Sequence, residues 1–439
     1  MKKYILIILI ILSTQLSKNE CAIKANDNPL NDLEKPGSGI FITNWIDIQL
    51  YAIKNTKIPS HHLRQSAYSA IALYESLVKG DLKYHSLAGQ LNELDSLPSW
   101  DGAPNPCWQV SGNSAIATMF RYFYSDNPST VLRIDSMEKS CVTQFIAEGY
   151  NEAAVKKSSE FGKSIAVAII EWCKNDGDNK ATAPFTILKG LGLWEPTPPE
   201  FIPPILPYLG NNRTIVKASI EKTLPPPPAS FSTDPQSPFY KLAEEVYLIS
   251  GKLDNEKKAI ALFWDDFPNG NTLTGGGHWA SILKNEIVSG NLSLIESAHI
   301  YSEMYIAMYD ASIGCFKAKY TYDLLRPVTY IQKYMNDTSW KSFINTPPHP
   351  EYPAAHATVA RAAATILTQL IGSNKGFIDH SYDYKGYSPR SFNSYLDASK
   401  EAGISRLYGG IHYLTSIEAG FIQGEKIANN VLKKLVFIE

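Results

Sequence analysis

The sequence predicts a mostly α-helical protein, on three observations. Apolar residues recur at helical spacing in long segments, and residues 61–78, with Ala67, Ala70, Ile71 and Tyr74 on one side, give the strongest such pattern. No segment of the first half shows the apolar–polar alternation of a half-buried strand. The composition over 439 residues, 44% hydrophobic and 19% charged, provides a core sufficient for one large domain or two to three smaller ones.

Helices are predicted in both halves, and a proline-rich segment separates them. The predicted helices are residues 43–53, 61–78, 111–124, 129–149, 152–174, 238–250, 255–264, 278–289, 292–334 and 353–370. Between residues 194 and 228 prolines are too frequent for a helix interior, because proline lacks the amide proton that a helix uses. This segment is either a linker between domains or an ordered loop crossing a helical body, which Trp194, Phe201 and Tyr208 favour.

Residues 1–25 predict an exported protein. Two lysines after Met1 are followed by a short apolar run, by polar residues and by Ala22 and Ala25, which is the order of a secretory signal peptide. The run is too short for a comfortable membrane span, and no later segment approaches that length, so we expect a soluble mature chain in the periplasm or outside the cell. An uncleaved anchor and a lipoprotein attached at Cys21 are the weaker alternatives.

The charge balance and the cysteines exclude several classes of protein. A formal net charge of −2 without basic runs gives no electrostatic case for a nucleic-acid partner. The mature cysteines follow no zinc or redox spacing, so they are either free buried thiols or members of one or two disulfides; they are Cys107, Cys141, Cys173 and Cys315. The Gly-Gly-Gly tract at residues 275–277 lacks the Lys-Ser/Thr ending of a nucleotide-binding loop.

Candidate functional residues are concentrated between residues 319 and 412. Three motifs lie there: Lys319-x6-Arg326-Pro327, Pro350-Glu351-Tyr352-Pro353-Ala354-Ala355-His356, and Ser405-Arg406-Leu407-Tyr408-Gly409-Gly410-Ile411-His412. Together they supply one lysine, two arginines and two histidines. Arginine and lysine satisfy the oxygens of a tetrahedral oxoanion, and histidine serves as ligand, nucleophile or proton carrier.

Each motif also has an ordinary interpretation. Lys319 and Arg326, predicted to share one helix face two turns apart, are usually a solvated stripe. His356, at a predicted helix start whose free N–H groups attract an anion, is otherwise a capping or core histidine. Arg406 and His412 converge only if the glycines between them break the helix, which is otherwise a plain turn. The presence of all three motifs in one region favours an oxoanion site.

The order of these motifs resembles the phosphatidic acid phosphatase type 2 and vanadium haloperoxidase superfamily. Residues 64–75, 194–199 and 263–279 and the long helical first half are similar to its vanadium-dependent haloperoxidase branch. The resemblance implies an all-α fold of two helical bundles with the active site in the C-terminal bundle. It divides the chain into a signal peptide at 1–25, an N-terminal helical region with the proline-rich crossing segment at 26–230, and a phosphatase type 2/haloperoxidase-like helical domain at 231–439.

The same resemblance implies a cofactor and residue roles. His412 would be the covalent axial ligand of vanadate, and Lys319, Arg326 and Arg406 would neutralise its equatorial oxygens. His356 would be the acid–base residue for peroxide.

Further roles follow from the resemblance for residues around this set. The Ala355 N–H would donate to vanadate beside Ala354, and Asp266 would fix Arg406. His349 and Phe316 would form the halide pocket, with a histidine at residue 349 resembling bromide- or iodide-oxidising members.

Two residues depart from the family pattern. Ala354 stands where the family has serine, and Ser416 stands where it often has aspartate. One lost hydrogen bond to a charged group costs about 1.5–3 kcal/mol. The departures therefore predict weaker vanadate binding, restriction to easily oxidised iodide, or a lost activity.

The leading hypothesis is a vanadate-dependent haloperoxidase that uses hydrogen peroxide to oxidise iodide or bromide to hypohalous acid, with a small organic acceptor and an oligomer both possible. The runner-up is a secreted acid phosphatase in which His412 is the phosphoryl nucleophile and His356 the general acid. The third is a degenerate anion-binding member of the same superfamily.

Overall fold

A computed structural model describes residues 38–55, 61–102, 104–267 and 272–439. Within these ranges the chain is mostly α-helical, as predicted. The predicted signal peptide lies outside the described residues. None of the described helices is both long and apolar enough to cross a membrane.

Five helices form the first half of the described chain. They are α1 (Ile40–Asn55), α2 (His62–Leu77), α3 (Trp108–Tyr124), α4 (Pro128–Ala147) and α5 (Glu152–Cys173). Eight helices follow the proline-rich segment: α6 (Pro238–Ser250), α7 (Asn255–Phe263), α8 (Thr274–Gly290), α9 (Leu294–Tyr322), α10 (Pro327–Tyr334), α11 (Ala355–Leu370), α12 (Tyr395–Tyr408) and α13 (Leu414–Lys434).

The helices pack as two bundles, which confirms the predicted fold class. Helices α2 to α5 form the first bundle, and α9, α11, α12 and α13 form the second. Helix α9 contacts both α2 and α11, so it belongs to the second bundle and also lies against the first. A continuous core of buried apolar side chains joins the two bundles.

Side-chain caps explain several helix starts. Asn127 and Ser237 accept hydrogen bonds from the backbone three residues on, and each precedes a proline at the first helical position. Ser293 and Glu296 form a reciprocal capping box at the start of α9.

The helical stretch predicted over 292–334 is divided before Pro327 into two separate helices, α9 and α10. Asp323 ends α9 in the left-handed region with φ 47°. Arg326 is extended, with ψ 154°, because the residue before a proline is disfavoured in the helical region. Pro327 then occupies the first helical position of α10. Lys319 and Arg326 therefore do not share a helix face.

A small antiparallel hairpin was not predicted. Strand β1 (Phe377–Asp379) pairs with β2 (Arg390–Phe392), with Phe377 opposite Phe392. Strands of three residues are too short to show an alternation that can be distinguished from a loop.

The proline-rich segment is an ordered loop that crosses the helical body. The Trp194 N–H donates to Asp323 O at 2.7 Å, and the Ile205 N–H donates to Pro348 O at 3.0 Å. The Asp310 carboxylate on α9 accepts from the N–H groups of Ile215, at 2.7 Å, and Val216, at 3.1 Å. These contacts favour the crossing-loop interpretation over a linker.

The four cysteines within the described residues, Cys107, Cys141, Cys173 and Cys315, are free and buried. The disulfide alternative is therefore wrong, and the thiols are core residues.

Candidate active site

The five predicted charged and histidine residues converge from separate helix ends of the second bundle. Lys319 lies in the last turn of α9, and Arg326 directly precedes α10. His356 lies in the first turn of α11, Arg406 in the last turn of α12, and His412 between α12 and α13. Helix ends lie at these residues because each motif contains a proline or glycine, which starts or ends a helix.

Arg326 is completely buried and holds two histidines. Its Nη1 lies 3.2 Å from His412 Nε2 and its Nη2 lies 3.0 Å from His349 Nδ1. Nε and Nη1 also donate to the carbonyls of His349 and Ile411, at 3.0 and 2.9 Å. The guanidinium therefore has a fixed position, which a planar group with five donors achieves better than lysine.

Lys319 is also completely buried, and backbone oxygens surround its ammonium group. Nζ donates to the carbonyls of Pro350, Glu351 and Pro353 at 2.9, 2.9 and 2.6 Å. The ammonium thereby fixes the loop that leads into α11.

His412 is held by a buried carboxylate. Glu351 Oε1 lies 2.7 Å from His412 Nδ1 and also accepts from the Tyr413 N–H at 3.0 Å. Because a carboxylate only accepts, the His412 proton is assigned to Nδ1, and Nε2 keeps its lone pair. Burial and the positive charges of Arg326 and Lys319 lower the pKa of His412 well below its usual value, so the imidazole is neutral at pH 7.

Ser416 connects this carboxylate to the start of α11. Its hydroxyl donates to Glu351 Oε2 at 2.6 Å, and its carbonyl accepts from the Ala354 N–H at 2.9 Å. The buried Glu351 carboxylate therefore supplies a negative charge beside His412. Burial raises the pKa of Glu351 even though Ser416 and the nearby cations favour its charged form.

His356 is paired with Asp266. Nε2 lies 2.7 Å from Asp266 Oδ1, and both side chains are partly accessible, at 16% and 23%. Burial alone would raise the pKa of Asp266, but His356, Arg406 and the Gly275 N–H stabilise the carboxylate and lower it. Asp266 therefore pairs with His356, and among the described residues it forms no ion pair with Arg406, whose fixing was the expected role.

Arg406 is fixed by backbone and hydroxyl oxygens instead. Nη2 donates to Trp264 O at 2.6 Å, and Nε donates to Ser405 Oγ at 3.0 Å. Nη1 lies 3.5 Å from His356 Nε2, so the second arginine is next to the second histidine.

The buried cations of the site favour binding of an anion. Burial lowers the pKa of Lys319, and it lowers the pKa of Arg326 to about 10. Such shifts mean that the positive charges lie in a poorly hydrated region, where their charged forms are destabilised. A bound oxoanion would relieve this cost by supplying negative charge and acceptor atoms.

The start of α11 adds backbone donors. Ala354 is the capping residue and makes no side-chain cap hydrogen bond, because its methyl group cannot accept one. The N–H groups of the first turn, beginning at Ala355, are the donors that a helix leaves without intrahelical partners. They carry the positive end of the helix dipole toward the site.

A cavity of about 520 Å³ leads to these residues. Seven of the predicted site residues line it: Asp266, Phe316, His349, Ala355, His356, Arg406 and His412. Phe316 lies against His349, with ring centroids 5.2 Å apart. Burial and the charges of Lys319 and Arg326 lower the pKa of His349 well below its usual value, so it is a neutral wall residue.

Sequence reasoning identified the cations and histidines but missed one carboxylate. Glu351 was named only as part of a motif. A signal was available: an acidic residue between two prolines, in a region rich in positive charge, is a natural counter-charge. The backbone acceptor Trp264 O left no signal, because any residue supplies a carbonyl.

Comparisons with known proteins support the fold. Residues 299–438 match the protein family described as the VCPO second helical-bundle domain. The crystal structure of a bacterial vanadium-dependent iodoperoxidase is 32% identical, with a TM-score of 0.85, and the match covers 92% of this chain and 98% of that chain.

More distant structures share the fold. The holo form of a bacterial vanadium-dependent chloroperoxidase has a TM-score of 0.63 at 15% identity, covering 93% of this chain and 94% of that one. Its apo form has a TM-score of 0.63 at 14% identity, covering 92% and 95%. No curated protein sequence matches the chain.

Proposed function

Because this chain belongs to the vanadium-dependent haloperoxidase family, we propose that it binds vanadate at His412 and uses hydrogen peroxide to oxidise iodide to hypoiodous acid. The observation that carries the proposal is His412 itself. Its neutral imidazole, with the proton held on Nδ1 by Glu351, presents the Nε2 lone pair beside the buried Arg326 guanidinium.

The residues fit vanadate by their donor chemistry. Nε2 of His412 is the type of nitrogen that binds a metal centre. Arg326, Arg406 and Lys319 would balance the oxygens of the anion, and the N–H groups at the start of α11 would donate to it. Bound vanadate supplies a Lewis-acidic centre whose oxidation state does not change.

The protein contributes position and charge. Glu351 keeps His412 in one tautomer and one orientation, which is how a carboxylate behind a metal-binding histidine increases its basicity. Each histidine has one arginine beside it: Arg326 lies at His412 and Arg406 lies at His356. Their fixed hydrogen bonds mean that little reorganisation is needed when negative charge develops.

His356 is the residue suited to move protons. Its side chain is 16% exposed against 2% for His412, it lines the cavity, and Asp266 orients its ring through Nε2. A histidine in this position can accept a proton from peroxide and later return it.

Iodide is the proposed halide on two grounds. The structure with 32% identity is named an iodoperoxidase. Ala354 also provides no hydroxyl beside the anion, which favours the most easily oxidised halide. His349 and Phe316 would form the halide side of the cavity.

The test uses purified protein with and without orthovanadate, and it measures peroxide-dependent oxidation of iodide and bromide. We expect vanadate-dependent iodide oxidation, weaker or absent bromide oxidation, and loss of both in His412→Ala. Equal rates with iodide and bromide would contradict the halide assignment while keeping the family reaction.

A phosphate-ester assay accompanies it, because the same neutral histidine among cations could attack phosphorus. Ester hydrolysis that vanadate inhibits, without iodide oxidation, would replace the proposal with the phosphatase. Binding of vanadate without either activity would identify a degenerate anion-binding member.

We also propose export of the protein, on the signal-like pattern of residues 1–25. Mass spectrometry of the protein purified from its natural host would test this. An intact Met1 on a protein retained inside the cell would contradict it.

A further inference from the structure

The cavity is larger than halide and peroxide require. Its volume is about 520 Å³, which falls within the range of roughly 300–1,000 Å³ for pockets that hold organic ligands. Much of the wall away from the charged cluster is apolar, and it includes Leu63, Ile202, Ile205, Leu206 and Leu209. Small polar reactants have no use for such a wall.

The cavity extends along α9, away from the proposed vanadate site. Tyr309, Ser312 and Phe316 line it on successive turns, and the next turn carries Lys319. Ten residues separate Tyr309 from Lys319, which is about 15 Å at 1.5 Å per residue. Whatever lies at the level of Tyr309 is therefore far from the vanadate end.

A further histidine–carboxylate pair lies at the level of Tyr309. His61 Nδ1 is 3.1 Å from Asp178 Oδ1, and both residues line the cavity with side chains about one-fifth exposed. Asn212 ties this pair to α9, because its Nδ2 donates to the Tyr309 hydroxyl at 3.1 Å and lies 3.5 Å from Asp178 Oδ1.

The pair is held in one arrangement. Arg64 Nη1 lies 3.5 Å from Asp178 Oδ2, while the same guanidinium is bound bidentately by Asp176 at 2.7 and 3.2 Å. Asp178 therefore stays a carboxylate acceptor and keeps the proton of His61 on Nδ1. Nε2 is the remaining acceptor, and no described residue hydrogen-bonds to it.

We propose that this end of the cavity binds an aromatic or enolic hydroxyl compound, with its ring against the apolar wall and its O–H donating to His61 Nε2. The proposal rests on the proposed function, because the bound compound would be the organic acceptor of the hypoiodous acid made at the other end. Iodination would then occur inside the protein before the oxidant reaches solvent.

The reaction balances with these groups alone. As the ring carbon attacks iodine, the I–O bond breaks and hydroxide leaves, while His61 takes the proton of the hydroxyl group. The ring then loses its C–H proton to hydroxide, which gives water, and His61 returns its proton to the product oxygen. The sum is phenol plus hypoiodous acid giving iodophenol plus water, with carbon oxidised and iodine reduced.

The binding test needs neither vanadate nor peroxide, so it is independent of the proposed function. Calorimetry compares 2-naphthol with 2-methoxynaphthalene, which has the same rings without the hydrogen-bond donor. We expect the wild type to bind naphthol about five- to tenfold more tightly. This preference should disappear in His61→Ala and fall in Asp178→Asn, which removes the negative charge that fixes the tautomer.

His380→Ala is the matched control. His380 forms a comparable pair with Asp383 at 2.8 Å, is half exposed, and does not line the cavity. The His380→Ala variant should show the same ratio of 2-naphthol affinity to 2-methoxynaphthalene affinity as the wild type. The result is a ratio of two affinities measured on the same protein. A general loss of folded protein would therefore not change it. Equal affinities in the wild type, or a preference that survives in His61→Ala, would overturn the proposal.

The second test follows the oxidant. Enzyme, iodide and peroxide are incubated with 2-naphthol and excess methionine as a soluble scavenger, and hypoiodous acid added as a reagent serves as reference. We expect a larger share of iodine on naphthol from the enzyme than from the reagent, and a smaller share in His61→Ala per iodide oxidised. The same share from enzyme and reagent would overturn the acceptor site but leave iodide oxidation standing. Absence of iodide oxidation would instead refute the proposed function, and the binding test would still decide the site.

Discussion

Two histidine–carboxylate pairs in the active site have the same spacing and opposite surroundings. His412 and Glu351 are 2.7 Å apart and essentially inaccessible, whereas His356 and Asp266 are 2.7 Å apart and partly accessible from the cavity. Burial raises the pKa of Glu351, while the charges of His356 and Arg406 outweigh burial and lower the pKa of Asp266.

Both histidines have a carboxylate partner at the same distance, so the pairing does not distinguish them. Their different burial decides which role each histidine is suited to. In a closed environment the imidazole stays neutral and is suited to act as a permanent ligand. At the cavity wall the other imidazole can exchange protons with a reactant. The predictions below test whether these two roles are separable.

The largest effect is expected at His412. Replacing it with alanine should lower vanadate affinity by more than the roughly hundredfold that loss of an outer partner costs. Vanadium-51 NMR or calorimetry measures this directly. His356→Ala is the comparison, and it should retain vanadate within about tenfold; similar losses in both variants would mean that the roles are shared.

The carboxylate behind His412 comes next. Glu351→Gln keeps an acceptor but removes the charge, and we expect a loss of vanadate affinity of about ten- to a hundredfold. Glu303→Gln is a matched control, because His299 and Glu303 form another buried pair at 2.8 Å that does not line the cavity. An unchanged affinity in Glu351→Gln would show that the pair only supports the fold.

Asp266 should affect turnover more than binding. Asp266→Asn leaves His356 without its charged partner, and we expect the peroxide-dependent rate to fall about tenfold or more while vanadate affinity changes little. Steady-state kinetics at saturating vanadate separate these quantities. A change confined to vanadate affinity would contradict the assignment of His356 to proton transfer.

The same pair should contribute to stability in a defined pH range. The pKa of Asp266 is lowered in the folded protein, so its contribution is present above the unfolded carboxyl value of about 3.9 and is lost as the pH falls through the folded value. Melting temperatures of the wild type and Asp266→Asn should therefore differ at pH 6, and the difference should shrink as the pH falls below about 4. A difference that grows on acidification would contradict this sign.

The smallest effect is expected at Ala354. Its N–H donates to Ser416 O, and it directly precedes α11, which carries His356. Ala354→Ser places a hydroxyl at the anion end of α11 and should tighten vanadate binding up to about tenfold. Ala364→Ser, a buried position further along α11, is the control and should leave affinity unchanged. Weaker binding in Ala354→Ser would mean that the methyl group is needed for packing.

Local patterns predicted much of the fold but not its breaks. Helical spacing of apolar residues located most helices to within a few residues, because that spacing reflects the face each helix buries. The separation of α9 from α10 depended on how the chain turns at Asp323 and Arg326. A proline marks such a place without deciding between a kink and a break.

The sequence by itself determined which residues form the candidate site. Lys319, Arg326, His356, Arg406 and His412 were identifiable because their motifs combine fixed spacing with residues that end or begin helices. Only the tertiary structure decided their partners. Glu351 lies 61 residues from His412, and Asp178 lies 117 from His61. Contacts at such separations depend on how whole helices pack. Burial, which distinguishes the His412–Glu351 pair from the His356–Asp266 pair, is a property of that packing and not of any segment alone.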